Sequence, residues 1–343
     1  MSYKKTSTLI HYYFKICFLV LGLYTSPVFA QNSWQKFGFS QAKMGSPFSI
    51  VVYSKDSIGV SILAQKAYQL VDSLNLIYSD YLPQSELSLL TQHKTQPIKV
   101  SNAMIDILQR SQKAYQLSHG AFDITIGPLV KLWRQARKAK VFPADSLILQ
   151  AQNRLGFGAI VLDTANQWVY INKPNMQLDL GGIAKGYIAQ QVVNYFMKAG
   201  FPRVLVDAGG DIATGQAPPD KTAWSIGVNM PESEQLMPKM LKIQNASVAT
   251  SGDMYQYVEI KGQKFSHIVN PATGLGLTHQ RNVTVIAPDG ATADWLATAC
   301  SVLSVKKAMR LVNQIPRSGV LITEIRKGKI MKWTNRRFNQ WLL

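Results

Sequence analysis

A chain of 343 residues, 47% hydrophobic and 16% charged, free of repeats and low-complexity tracts, can bury one large or two modest cores and is excluded from the disordered and fibrous classes. Its formal charge of +18 suits an anionic ligand or a negatively charged membrane surface. No recognition-helix module, zinc-finger spacing or aromatic-basic sheet signature accompanies that charge, so nucleic acid is not an expected partner, and a solvated basic face is the default meaning of the groups at Lys131 to Lys140 and Arg326 to Arg337.

Residues 1–30 read as a secretory signal peptide. Lys4, Lys5 and Lys15 precede an apolar run from Ile16 to Leu23, and Val28 and Ala30 fit the small-residue positions before a cleavage site. The run is short against the roughly 20 residues of a membrane-spanning helix, so a cleaved periplasmic form starting near Gln31 is expected over a retained or lipid anchor. The remainder, 31–343, carries 34 basic against 19 acidic residues. Removal of Cys17 leaves Cys300 alone among apolar and small neighbours, which excludes an internal disulfide and favours a buried structural thiol over a nucleophile.

Alternation at Phe48 to Tyr53 predicts a strand, and the apolar spacing from Ile58 to Ile77 predicts a long amphipathic helix. A second helix is expected from Asn102 to Leu117, stopped at Gly120. Short strands follow at Ala159 to Leu162, Trp168 to Ile171 and Gln177 to Leu180. Gly181-Gly182 then opens a helix closing at Gly200, and a strand runs from Arg203 to Val206. Further strands are expected at Trp224 to Val228 and Ser247 to Ala249, with a hairpin of Tyr255 to Ile260 and Gln263 to Val269 around Lys261-Gly262. Arg281 to Ala287 reads as a strand, Thr292 to Leu303 as a helix, and Arg326-Lys327-Gly328 as the turn of a last hairpin. The pattern predicts an α+β fold, mixed sheets with flanking helices, in one intertwined domain over 31–343.

Four segments could carry chemistry. In LDLGGIAKGY, residues 178–187, a carboxylate, two glycines and Lys185 at the start of a helix make a candidate phosphate cradle, although a strand, Gly-Gly turn and helix is also a common way to pack. The segment matches neither the P-loop nor the GxGxxG fingerprint. Asp294 and Thr298, four apart on a helix, put two hard oxygen donors on one face, suited to Mg²⁺ and not to zinc; a capping or intrahelical role is the alternative. His267, in SHIVNPATG, is a candidate general base or phosphate ligand, or a structural histidine, and Asp253 in TSGD fits a site or a turn. In GAFDITIGPLVKLW, residues 120–133, Phe122 and Asp123 suit a flat ring and its polar edge, or a buried Phe beside a capping Asp.

Taken together and in order, MGSPFSI, YLPQSELSLL, GAFDITIGPLV, LDLGGIAKGY, VDAGGDIATG, TSGD, SHIVNPATG and ADWLAT resemble the ApbE family of FAD:protein FMN transferases, across nearly all of 31–343. The resemblance implies an FAD site lined by Met44, Tyr81, Ala121, Phe122, Asp123, Asp179 and Lys185. It implies Mg²⁺ held by the Gly182 carbonyl, Asp294 and Thr298, with His267 beside the reacting phosphate as the candidate base. The implied activity is transfer of FMN from FAD to a threonine or serine hydroxyl of an acceptor flavoprotein, with AMP released; the acceptor would be a subunit of a membrane electron-transfer or sodium-pumping complex, or a secreted flavoprotein, and peripheral association with the inner membrane is compatible. Two readings compete: an FAD pyrophosphatase in which water replaces the hydroxyl, and an FAD-binding protein without turnover. Two positions depart from the family's pattern. Asn270 stands where an aspartate is usual, which puts in doubt a proton relay through that carboxylate, and Trp295 follows the metal aspartate where a small residue is common.

Overall fold

The computed structural model describes residues 33–92, 96–228, 240–252, 257–260 and 262–342, and Gln35–Leu343 forms one compact unit. The signal segment and Asp253 lie outside the described residues.

The unit opens with β1 (Gln35–Lys43) and β2 (Ser46–Ser54), joined through Met44 and Gly45. Both turn residues have positive φ, 52° and 75°, the type I′ geometry whose twist matches a two-residue hairpin. Helix α1 (Ser57–Tyr78) starts where Asp56 accepts the Gly59 amide at 2.8 Å, and it buries Val60, Ala67, Val71 and Leu74 at helical spacing. Then come α2 (Glu86–Gln92), β3 (Ile98–Lys99) and α3 (Asn102–Ser118), the last capped by Ser101 and ended by left-handed His119 and Gly120. Helix α4 (Gly127–Ala139) carries Pro128 in its first turn, where a missing amide costs nothing, and buries Leu129, Trp133 and Ala136. The chain continues through α5 (Asp145–Gln152), β4 (Ile160–Asp163), β5 (Trp168–Ile171), α6 (Ala184–Lys198), β6 (Val204–Ala208) and β7 (Ile212–Thr214). Strands β8 (Trp224–Gly227), β9 (Met240–Ile243), β10 (Ser247–Gly252), β11 (Tyr257–Ile260), β12 (Gln263–Ser266) and β13 (Gln280–Ala287) follow. Helices α7 (Gly290–Val302) and α8 (Val305–Gln314) lead into the closing hairpin of β14 (Gly319–Arg326) and β15 (Lys329–Thr334).

An eight-stranded sheet in the order β1-β2-β6-β7-β10-β13-β14-β15 is antiparallel throughout. Its strands are apolar on both faces because both are covered. Phe48, Ile50, Val206, Val285 and Ile322 face a core shared with α1, α3, α6, α7 and α8, and their neighbours Val51, Leu205, Ile286 and Leu321 pack with Trp224, Ile226 and Leu241 of the β8–β9 hairpin. A third cluster joins α4 and α5 to the β11–β12 hairpin through Trp133, Ile148 and Phe265.

Three expectations change. Residues 177–180 are not a strand of any sheet: Gln177 makes an isolated parallel bridge with Ile126, and the Asp179 amide donates to the Ile124 carbonyl at 2.7 Å. A Cβ at Gly127 would stand 2.6 Å from the Gln177 carbonyl oxygen, so glycine there lets the two segments lie side by side. The basic group at 131–140, expected as a solvated face, lies on a helix that ends at Ala139 and also buries Trp133. Finally, β12 stops at Ser266, so His267 sits in the bend beyond the strand.

Candidate active site

The site is built where α6 crosses α7. A Cβ at Gly186 would meet the Gly290 carbonyl oxygen at 2.1 Å, and one at Gly290 would meet the Gly186 oxygen at 2.0 Å, so the two backbones touch through glycine. Gln190 bolts the crossing by accepting from the Gly290 amide at 3.3 Å and from Ser247 Oγ at 3.1 Å. This approach lets Asp294 Oδ2 accept the Gly186 amide at 3.1 Å, satisfying a donor in the first turn of α6. One turn further along α7, Thr298 lies over the glycine turn: its Oγ1 is 2.9 Å from where a Cβ on Gly182 would be, and 3.4 Å from Ser251 Oγ. Thr298 therefore lies against Gly182, while Asp294 meets α6 four residues further on, at Gly186.

Lys185 comes to the same place from the first turn of α6 and pairs with Asp211 at 2.5 Å. Burial alone would lower the lysine pKa, but Asp211, Asp294 and Asp207 outweigh it and hold the ammonium charged. Asp294 is pushed well above the ordinary carboxylate range by burial and then by Asp211, against the opposing pull of Lys185 and the Gly186 amide. Such a carboxylate is short of positive charge, and its environment would be relieved by a divalent ion. The donor set fits hard, oxygen-preferring Mg²⁺: a buried carboxylate, a hydroxyl and the backbone of a glycine turn, with no histidine or thiol among them. Among the described residues no group of three or more His, Cys, Asp or Glu is arranged for a metal, and a seat with a single carboxylate would not form such a group.

Asp211 is the functional side chain that reading the sequence left out. Its signal was the VDAGGDIATG segment, in which Gly209 and Gly210 take positive φ and Asp207 accepts the Gly210 amide at 2.7 Å. That loop lies beside the β1–β2 turn, because Phe48 pairs with Ala208 and Ser46 Oγ would stand 2.5 Å from a Cβ on Gly209. Half-buried Met44 is thereby brought to this end of the sheet, next to Ser46 Oγ, a buried oxygen with no hydrogen-bond partner among the described residues.

The remaining candidates fall into three settings. Phe122 is buried between Trp295, with ring centroids 6.2 Å apart, and Gly182, from whose Cβ position its ring edge is 3.3 Å; it forms the floor of the glycine turn. Trp295 thus fills the space under Phe122. Half-buried Ala121 precedes it, and Asp123 accepts the Thr125 amide at 2.8 Å and hydroxyl at 2.7 Å, with burial raising its pKa in spite of both bonds. Asp179 accepts the Gly181 amide at 2.8 Å and pairs with Arg134 at 3.1 Å; Arg134 also pairs with Asp80 and stacks on exposed Tyr81. His267 is half-buried in the bend after β12, on the segment that ends in the NPATG turn. There Asn270 Oδ1 accepts the Ala272 amide at 2.9 Å, a turn-forming role that asparagine fills as well as aspartate does. Cys300 is buried in α7 with its thiol pushed up to about 12 by burial, as a structural thiol should be.

Fold and cluster define an α+β protein with Lys185, Asp211 and Asp294 gathered at the N-terminus of α6. Residues 44–322 match the ApbE family, and the chain belongs to it. It is similar to a protein of Klebsiella pneumoniae named FAD:protein FMN transferase, 31% identical over 283 residues that cover 81% of this chain and 86% of that one. A Vibrio cholerae protein of the same name is 30% identical over 281 residues, 80% of this chain and 84% of its own. Among solved structures, the flavin transferase ApbE from Vibrio cholerae superposes with a TM-score of 0.82 at 26% identity, covering 90% of this chain and all of that one (100%). The ApbE protein of Thermotoga maritima gives 0.80 at 26% identity over 90% and 99%.

Proposed function

We propose that this chain is an FAD:protein FMN transferase that works in the periplasm with Mg²⁺, taking FMN from FAD and fixing it to a threonine or serine hydroxyl of an acceptor flavoprotein. The observation that carries the reading is the gathering of Lys185, Asp294 and Thr298 at the start of α6, with Thr298 against Gly182 and Asp294 on the Gly186 amide. Relatives of the family named for this activity, matched over four-fifths of the chain, support it. The basic run, apolar run and small-residue cleavage site of residues 1–30 support export.

Gly182, Asp294 and Thr298 would hold the magnesium ion, which when bound supplies charge neutralisation at the diphosphate. The positive end of the α6 dipole and the Lys185 ammonium attract the same anion, and Asp211 keeps that ammonium in place. The acceptor hydroxyl attacks the phosphorus of the FMN half, the bond to the bridging oxygen breaks, and AMP leaves with the electron pair. A ring nitrogen of His267 takes the hydroxyl proton. Little covalent work falls to the protein beyond positioning and electrostatics.

The test is to incubate the exported, purified protein with FAD, Mg²⁺ and a candidate acceptor domain and to read flavin fluorescence on a denaturing gel. A fluorescent acceptor band is expected. Free FMN and AMP without a band would make the protein a pyrophosphatase, and unchanged FAD would make it a binding protein.

A further inference from the structure

Arg134 lies beside the proposed site, and its guanidinium meets two carboxylates and an aromatic ring. It projects from α4, whose Trp133 and Ala136 are buried, and its carbon lies 4.2 Å from the centroid of the Tyr81 ring. One nitrogen, Nη1, pairs with Asp80, the residue before Tyr81, and Nη2 pairs with Asp179 Oδ2 at 3.1 Å. The other oxygen of Asp179 accepts the Gly181 amide at 2.8 Å. A continuous line of contacts therefore runs from the exposed tyrosine through the guanidinium and a carboxylate to the glycine turn.

A guanidinium has one planar fork, and here its nitrogens are spent on two carboxylates while its carbon lies over a ring. Tyr81 is 71% exposed even so, on the segment after α1. An exposed tyrosine would ordinarily sample several rotamers, and ordering it on ligand binding costs affinity. Stacked on Arg134, it keeps one position, with one face backed by the cation and the other open to a flat ring. Without the guanidinium, Asp80 and Asp179 would also be left as two carboxylates sharing one neighbourhood.

We propose that Arg134 is a positioning residue for the dinucleotide: its guanidinium backs the Tyr81 ring as a fixed wall for a planar ring of the substrate and locks Asp179 onto the glycine turn. This rests on the proposed FAD chemistry, and it predicts that Arg134 acts on ground-state binding and not on the phosphoryl step.

The test is equilibrium binding of FAD, followed by quenching of flavin fluorescence, to the full protein and to its Arg134→Ala and Arg134→Lys variants, with thermal unfolding and steady-state transfer measured on each. Arg134→Ala is expected to weaken binding about tenfold and to raise KM similarly, with kcat kept within about threefold. Arg134→Lys keeps the charge between the two carboxylates but loses the flat face, so it should fold like the unaltered protein and still bind several-fold more weakly. Unchanged affinity in Arg134→Lys overturns the stacking argument, and a loss confined to kcat in either variant overturns the positioning role. Failure of the unaltered protein to bind FAD at all overturns the functional reading and this inference with it, whereas equal binding by all three proteins overturns the inference alone.

Discussion

Gly186→Ala tests the geometry on which the site depends. A Cβ at this position would lie 2.1 Å from the Gly290 carbonyl oxygen, 2.7 Å from its carbonyl carbon and 2.8 Å from Asp294 Cβ. Two of these atoms are backbone, so no rotamer change relieves the clash. To restore an ordinary contact of about 3.5 Å, α6 and α7 must part by more than about 1 Å. Overpacking of this kind costs about 1–3 kcal/mol, and the unfolding temperature should fall by several degrees. The larger effect is expected on turnover. Separation of the helices stretches the 3.1 Å bond from the Gly186 amide to Asp294 and draws Thr298 off Gly182. A misplacement of about 1 Å can cost on the order of a hundredfold in rate. The assay is the initial rate of acceptor flavinylation at saturating FAD, with thermal unfolding of the same preparation. Gly38→Ala, where a Cβ meets nothing within 4 Å, serves as the control and should alter neither. A Gly186→Ala protein with the parent's rate and melting temperature would refute the argument that the glycine contact sets the site.

Asp294→Ala removes the buried carboxylate of the proposed cation seat; turnover should be lost and the Mg²⁺-induced rise in melting temperature should vanish, and full activity would take Asp294 out of the metal site. At the far end of α7, buried Arg281 donates to Glu324 at 2.6 Å and to the Leu303 carbonyl at 2.7 Å, within a helix end that favours a cation. Burial would raise the Glu324 pKa, but Arg326 and Arg281 outweigh it and hold it below the ordinary 4.5. The folded state therefore gains stability from this group above pH 4.5 and loses it as pH falls through the lower, folded value. Glu324→Gln should cost on the order of 3 kcal/mol at neutral pH and flatten that acid dependence; a denaturation series in which the variant keeps the parent's pH profile would contradict this. The Cys300 thiol, buried with its pKa at about 12, should resist a maleimide in the native protein and react on unfolding. Prompt labelling of the native fold would mean that α7 opens.

Asp294 and Thr298 were legible as a pair because helical periodicity is local: four residues make one turn, and the apolar positions around them already specify a helix. The same holds for Phe48 to Tyr53, for the 102–118 helix and for the hairpin at Lys327-Gly328, whose period or turn chemistry is written in adjacent residues. Gln177 to Leu180 misled because alternation signals an extended chain and says nothing about whether a partner strand exists; here the partner is a single bridge to Ile126. The 127–139 helix was hidden by its basic residues, which read as surface until Trp133 is seen buried against Phe265.

By itself, the order of residues determined helices α1, α3, α6 and α7, the glycine turn at 181–182 and the oxygen pair on α7, each encoded in adjacent positions, and the likeness to the ApbE family, which rests on eight segments in order along the chain. Only the folded chain decided that Gly186 meets Asp294 from 108 positions away, that Asp211 is the partner of Lys185, and that Arg134 lies beneath Tyr81. Those contacts depend on how covered faces of helices and sheet are brought together, and burial of apolar surface, which drives that assembly, carries no address for the polar groups it places side by side.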